Sequence, residues 1–500
     1  MLVQEMIQPL PRVSLACVYH IGAIISAIIG AMSRRWAFAL IFAGILVTRL
    51  SHLGIVWVEE GYPTAAARQL LDGRTLYRDI WFDKPPLFPY IYTLWGAHTG
   101  LLLRLAGVGF VFTSCLLIYR FAADLWTERE GLAAASFLAF YLTFGIPAAV
   151  MALAPDLLMI APHIAAVWLA WRARPLLAGL AAGVGLLLNA KAVFVLAACL
   201  LFTGSGWPWL LIGFVLPNLG ALAIFGQPYL DQVWAWGRVY SAHGFAPREG
   251  IVRTGNWLGF QSALIVGVAS FFRTSFFRTP KTRWKMAAWI LICLIAVASG
   301  WRFFPRYYFQ LLVPITLLAA RGFVFSGPRV RIAMAALMLI PLVRFGPRYV
   351  ILANDLAHQR PHIWTDLQLS QDSERAAKLL TDRSGTLLVW GYRPDIFALT
   401  RMRAGARYLD SQPLTGVMAD RHLTSSEVTF PELAAQNRQE LSHTQPTYIV
   451  DGLGIFNPSL AITRYADLQP WLASYREIGR TAFSVVYQRS STPAAFPKTR

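Results

Sequence analysis

Two adjacent carboxylates, Glu59 and Glu60, stand directly after a long apolar run, and a lysine held between an aspartate and two prolines, Asp83-Lys84-Pro85-Pro86, follows in the same polar loop. A carboxylate so placed can take a proton from a hydroxyl that is about to attack. A lysine in a stiff extended turn can hold a phosphate on which negative charge builds in a transition state, since a fixed cation opposes that charge without reorganising. Glu59 is therefore the expected base and Lys84 the expected phosphate ligand. The segment 59–100 that carries both is longer than a connector needs to be. It begins with charge, continues through a short amphipathic helix whose Ala65, Ala66 and Leu70 can lie on a bilayer surface, and ends in the aromatic run LFPYIYTLWG.

The elements that must position these residues are apolar helices. Of 500 residues, 56% are hydrophobic and 14% charged, against roughly 25% charged in a soluble domain. The first clear span is Trp36 to about Val58, and further apolar runs lie near 101–122, 131–148, 155–171, 175–188, 192–204, 207–225, 256–272, 286–300, 308–321 and 331–347. The expected fold is mainly α, a polytopic bundle of about 11–12 spans over residues 34–348, with residues 1–33 as an extension or extra helix. The net charge of +19 is explained by position. Arg120 and Arg129, Arg172 and Arg174, the Arg273–Lys285 cluster with Arg278, and Arg321, Arg329 and Arg331 fall in every second link, apart from the short uncharged turn at 205–206, as cytoplasmic loops require. Nucleic acid is therefore not an expected partner. The alternation puts outside the loop 59–100, the turn near 149–154, the junction 189–191, the loop 226–255, the loop 300–307 and everything after about 350.

Residues 349–500 change character, with more charge, an amphipathic stretch from Asp372 to Leu380, and short β-rich runs at Thr386–Trp390, Tyr448–Asp451 and Ser484–Gln488. They predict a small extracytoplasmic α/β domain, with its boundary at Arg344–Tyr349, where Gly346-Pro347 interrupts the pattern. All four cysteines, Cys17, Cys115, Cys199 and Cys293, sit in apolar runs, so no disulfide framework or CxxC metal site is expected.

The order of an acidic pair after the first span, then GYPTAAARQLLDGRTLYRDI, then DKPPL, resembles the GT-C membrane glycosyltransferases of the protein mannosyltransferase and aminoarabinose transferase type. The resemblance implies that the loop's opening acid is catalytic and that the lysine of the KP pair contacts a carrier phosphate. Glu59 matches the usual aspartate, Glu60 the glutamate after it, Tyr62 an aromatic substrate contact and Lys84 the phosphate ligand. Glutamate at 59 is one methylene longer than the common aspartate, and a shift of roughly an ångström can be costly, which leaves Glu60 or Asp156 as alternative bases. Asp156 in LAPDLLM resembles the family's second acidic position, and Lys191 in LNAKAVF the lysine of a corresponding junction. GWRFFPRYYFQLLVP, residues 300 to 314, resembles a segment in which histidine often precedes the tyrosine. Here Arg306 precedes Tyr307, and its planar fork suits phosphate. Arg302 and Arg253 join the expected substrate contacts.

Plainer readings stand beside these. Glu59 and Glu60 could be solvated charges ending a helix, Lys84 a snorkelling side chain, Asp156 an N-cap, and Arg253, Arg302 and Arg306 interfacial cations. His358 and His362 have i, i+4 spacing, but Pro361 between them argues against a metal site. A divalent cation between Glu59, Glu60 and Asp156 is left open as a cofactor. The resemblance implies transfer of a sugar from a polyprenyl-phosphate donor to a lipid, glycan or protein acceptor, by inversion, at the outer face of a bacterial inner membrane. The alternative is a transporter or flippase for an anionic or lipid-linked substrate, in which Asp156 and Lys191 line a path.

Overall fold

The computed structural model describes residues 34–244, 247–274, 280–358 and 364–490. The expected extra helix in 1–33, Cys17, Arg278 and His362 lie outside the described residues. Among the described residues four helices are long and apolar enough to cross a membrane: Leu101–Leu125, Ala190–Ala242, Pro305–Phe325 and Pro328–His358. A fifth crossing results if Pro247–Phe260 and Ser262–Arg273, bent by 75° at their junction, are taken as one. The chain is thus a multi-pass membrane protein whose helices close their own backbone hydrogen bonds, as hydrocarbon demands.

Several apolar runs form shorter helices. Glu128–Tyr141 and Pro175–Leu188 have 14 residues each, and Ile160–Trp171 has 12. A 14-residue helix is about 21 Å long, less than the ~30 Å of hydrocarbon. Pro175–Leu188 stops where Asn189 and Lys191 begin, and Asp156 opens the stretch leading into Ile160–Trp171. Polar residues therefore end these helices inside the bundle.

Three expected boundaries differ. The first span, expected to reach Val58, ends at Leu50 (helix Arg34–Leu50, α1). On either side of that end the Thr48 and Ser51 hydroxyls donate to nearby carbonyls, of Gly44 at 2.7 Å and of Thr48 at 2.8 Å, competing with helix continuation. The chain turns, and a second helix, Val58–Leu71 (α2), starts after an extended Trp57. The run 256–272 is split near Gln261. The helix Pro328–His358 continues through Pro341 and Pro347, so no break falls at 344–349; prolines are tolerated where neighbouring helices pack against the freed backbone.

Two features order the bundle. Helices Pro175–Leu188 and Trp207–Tyr229 touch backbone to backbone: a Cβ at Gly213 would lie 2.2 Å from the Leu176 carbonyl oxygen, and one at Gly179 2.0 Å from that of Leu210. Charges also sort to the two ends. Asp124 pairs with Arg172 at 3.4 Å, Arg34 with Glu128 at 3.1 Å, and buried Glu130 with Arg321, uniting the links expected to be cytoplasmic. The links expected outside gather at the opposite end.

The C-terminal domain holds a five-stranded sheet of order β2-β1-β3-β5-β4, with β1 Thr386–Trp390, β2 Arg403–Ala404, β3 Tyr448–Asp451, β4 Tyr475–Arg480 and β5 Val485–Arg489. β1 is parallel to β2 and β3, while β5 runs antiparallel to β3 and β4. β1 and β3 are almost wholly buried, which explains their uninterrupted apolar sequence. The domain grips the first outer loop. Gln69 donates to the Met402 carbonyl at 3.2 Å and accepts from the Ala404 amide at 2.8 Å, Arg68 donates to the Arg401 carbonyl at 3.2 Å, and Arg74 reaches the Ala404 carbonyl. Arg401 in turn donates to the Gly96 carbonyl at 2.9 Å.

Candidate functional site

Glu59 and Glu60 occupy the first turn of α2, where negative charge complements the helix dipole. One residue apart on a helix, they point to different surroundings. Glu60 is fully buried: Arg104 donates to its two oxygens at 2.9 and 2.6 Å, and the Leu153 amide donates to Oε1 at 3.0 Å. Arg104 also donates to the carbonyls of Ile55 at 2.9 Å and Met151 at 3.2 Å. Arg49, equally buried, donates to the carbonyls of Val150 at 2.8 Å and Met151 at 2.9 Å. The turn ahead of Asp156 is therefore held by two arginines and a carboxylate.

Glu59 faces the other way and keeps partial exposure. Its Oε1 pairs with Arg306 Nη1, and Asp156 Oδ2 lies 3.5 Å from Arg306 Nε. Asp156 is 5% exposed and accepts from Asn189 Nδ2 at 3.0 Å. Asn189 Oδ1 accepts from the Lys191 amide at 3.0 Å, so the junction carrying Lys191 is tied to the same aspartate. The Lys191 ammonium lies 3.2 Å from the centroid of the Tyr307 ring, a cation–π contact, and has no hydrogen-bond partner among the described residues. Glu59, Asp156, Lys191, Arg306 and Tyr307, expected from separate stretches, are thus brought together.

Lys84 stands at another corner. Its ammonium is 2.6 Å from Asp83 Oδ2 and its carbonyl accepts from the Tyr77 hydroxyl at 2.7 Å. Tyr62 stacks on Phe82 at 4.7 Å and donates to the Trp81 carbonyl at 3.3 Å. Burial pushes the Tyr62 phenol well above its ordinary value, and the charges of Asp83 and Asp410 push the same way. The loop carrying Lys84 is fixed from two sides. Gln232, in the π-helical turn Leu230–Ala235, donates to the Tyr77 carbonyl at 2.6 Å and accepts from the Phe82 amide at 2.9 Å, and Arg407 donates to the Tyr77 carbonyl at 3.0 Å. Tyr77 itself is buried at φ 66°, a strained conformation for a bulky residue that persists where surroundings enforce it.

Arg302 and Arg253 have framework contacts. Arg302, 3% exposed, pairs with Asp420 of the C-terminal domain and lies 3.9 Å over the Tyr240 ring. Arg253 donates to the Arg302 carbonyl, and Arg253 and Arg306 flank the Phe304 ring at 5.0 and 5.1 Å.

The acids considered for a divalent cation do not fit one. Glu60 is spent on Arg104, and between Glu59 and Asp156 the guanidinium of Arg306 already supplies the positive charge. No group of three or more His, Cys, Asp or Glu side chains converges on a common point among the described residues.

Sequence reasoning missed Arg104, Arg49, Asn189 and Gln232. Arg104 left a signal, a lone charge in LLLRLAG, since an arginine in an apolar span demands a partner. The others are polar residues whose roles depend on distant segments.

No family model matches the sequence, and no curated protein matches it. Solved structures do. ArnT from Cupriavidus metallidurans bound to undecaprenyl phosphate is 14% identical, with a TM-score of 0.55 over 93% of this chain and 100% of that one. The same protein in the apo state is 13% identical, with a TM-score of 0.51 over 90% and 96% of the two chains. At such identity the likeness concerns the path of the backbone, which it follows through both the bundle and the C-terminal domain. The chain has the GT-C fold of membrane glycosyltransferases.

Proposed function

We propose that this protein transfers a sugar from a polyprenyl-phosphate carrier to an acceptor hydroxyl, with inversion, at the extracytoplasmic face of a bacterial inner membrane. The observation that carries the reading is the meeting of Glu59 and Asp156 on Arg306, three residues from three outer links at one end of an apolar bundle. The fold likeness to a protein seen with undecaprenyl phosphate supports the same carrier class.

Glu59 is the base. Its second oxygen accepts no hydrogen bond among the described residues and it keeps access to solvent, whereas both oxygens of Glu60 are occupied. Glu59 takes the proton of the acceptor hydroxyl as that oxygen attacks the anomeric carbon, and the bond from that carbon to the phosphate oxygen breaks with its electrons going to the polyprenyl phosphate. Lys84, Lys191 and Arg306 hold the departing phosphate, opposing the charge it gains. Asp156 keeps Arg306 and the Asn189–Lys191 junction in place. Glu60 is a positioning residue, joining the base helix to the turn before Asp156.

The substitution Glu59→Gln, in purified protein with a lipid-linked sugar donor, is expected to lower transfer by about 10²–10⁴-fold while donor binding persists. Transfer at the wild-type rate by Glu59→Gln would rule out Glu59 as base. Donor movement across vesicles without transfer would favour a transporter instead.

A further inference from the structure

The C-terminal domain contributes two polar groups to this site that the mechanism does not use. In α/β sheets ligands gather beyond the carboxyl ends of parallel strands. The chain leaving β1 there runs Gly391-Tyr392, and the chain leaving β2 reaches Asp410. The two exits are tied together, since the Gly391 amide donates to the Ser411 hydroxyl at 2.8 Å. The chain between β2 and Asp410 is tied to the loop that carries Lys84: the Trp81 amide donates to the Arg407 carbonyl at 2.8 Å and Arg407 donates to the Tyr77 carbonyl at 3.0 Å. Burial pushes the Tyr392 phenol well above its ordinary value, and the nearby charges of Asp410, Asp83 and Glu59 push it further. Tyr392 is therefore a neighbour of both the Asp83–Lys84 pair and the proposed base.

Each group keeps an oxygen that makes no hydrogen bond among the described residues. Asp410 is 2% exposed; one oxygen accepts from the Gln412 amide at 2.8 Å, and the other accepts no hydrogen bond among the described residues. The Tyr392 hydroxyl makes none either, while its ring is fixed by stacking on His422 at 5.5 Å. A carboxyl can accept several hydrogen bonds and this one accepts a single amide, so its second oxygen is left to accept from a donor that arrives with a ligand. In a transfer between a phosphate held by Lys84 and a hydroxyl activated by Glu59, the group lying between them is the sugar ring, whose hydroxyls both donate and accept.

We propose that Asp410 and Tyr392 bind hydroxyl groups of the carried sugar, making the C-terminal domain a determinant of which sugar is transferred. This rests on the lipid-linked sugar transfer proposed above.

The test compares two probes on the full-length protein in micelles: undecaprenyl phosphate without sugar, and a panel of undecaprenyl-phosphate sugars differing by single hydroxyls. With Asp410→Asn, binding of the best sugar-bearing probe is expected to weaken roughly 10-fold, the scale of one hydrogen bond to a buried carboxyl, and preference within the panel to narrow. Binding of undecaprenyl phosphate alone stays within about 2-fold and reports that the carrier site is intact. If Asp410→Asn does not fold, Tyr392→Phe, which removes one oxygen, must give the same discrimination. Equal weakening of both probes, or no weakening of either, overturns the proposal. The readout is binding, so an active Glu59→Gln would refute the base assignment without touching this one.

Discussion

Arg104 and Glu60 meet through two parallel hydrogen bonds of 2.6 and 2.9 Å with neither side chain exposed. Removing one partner strands the other charge in a dry site, which costs about 3–5 kcal/mol. Glu60→Ala is therefore expected to lower the unfolding midpoint in micelles far more than Glu59→Gln does. Equal midpoints would show that the pair is not a structural clamp.

Lys84 keeps a 40% exposed side chain beside Asp83, so an incoming phosphate can reach its ammonium. Lys84→Met should raise KM for the lipid-linked donor by roughly 10- to 100-fold, the worth of a charge-assisted contact, with a smaller change in KM for the acceptor. Steady-state kinetics with each substrate varied in turn checks this.

Burial pushes the Asp410 carboxyl up from 3.8 to about 7, and Asp83 nearby adds to the shift. The folded protein thus holds a proton there that the unfolded chain has released. Stability from this group is complete below about pH 4, falls as pH rises, and has fully gone once pH passes about 7. Thermal unfolding between pH 4 and 8 should show a steeper loss in the wild type than in Asp410→Asn. Identical slopes would contradict it.

The contact at Gly213 leaves no room for a side chain, since its Cβ would sit 2.2 Å from a backbone oxygen of the facing helix. Gly213→Ala should destabilise by about 1–3 kcal/mol through forced separation of the two helices. Thermal unfolding checks this, and Gly255→Ala, where a Cβ would meet nothing within 4 Å, serves as the neutral comparison.

Much of this was legible in the sequence because it is written locally. Apolar runs, the basic residues in alternate links and the three strands Thr386–Trp390, Tyr448–Asp451 and Ser484–Gln488 need only a window of neighbours, and the strands lie within a residue of the expected place, whereas several helix ends do not, as at Leu50, Tyr141 and His358. Glu59, Asp156, Lys191 and Arg306 were legible as charges where charge is expensive. That Glu60 and not Glu59 carries Arg104 was not legible, because a helix turns adjacent residues to different neighbours and the partner lies 44 positions away. β2 and β4 were missed for a related reason: β2 has two residues and β4 is largely exposed, so neither leaves an apolar period.

The grip of α2 and the turn after it on the C-terminal domain is made largely by Gln69, Arg68 and Arg74 closing on main-chain atoms of residues 401–404. A backbone carbonyl presents the same oxygen whatever side chain it carries. The C-terminal domain can therefore change its side chains at 401–404 while remaining latched to α2 and the chain after it.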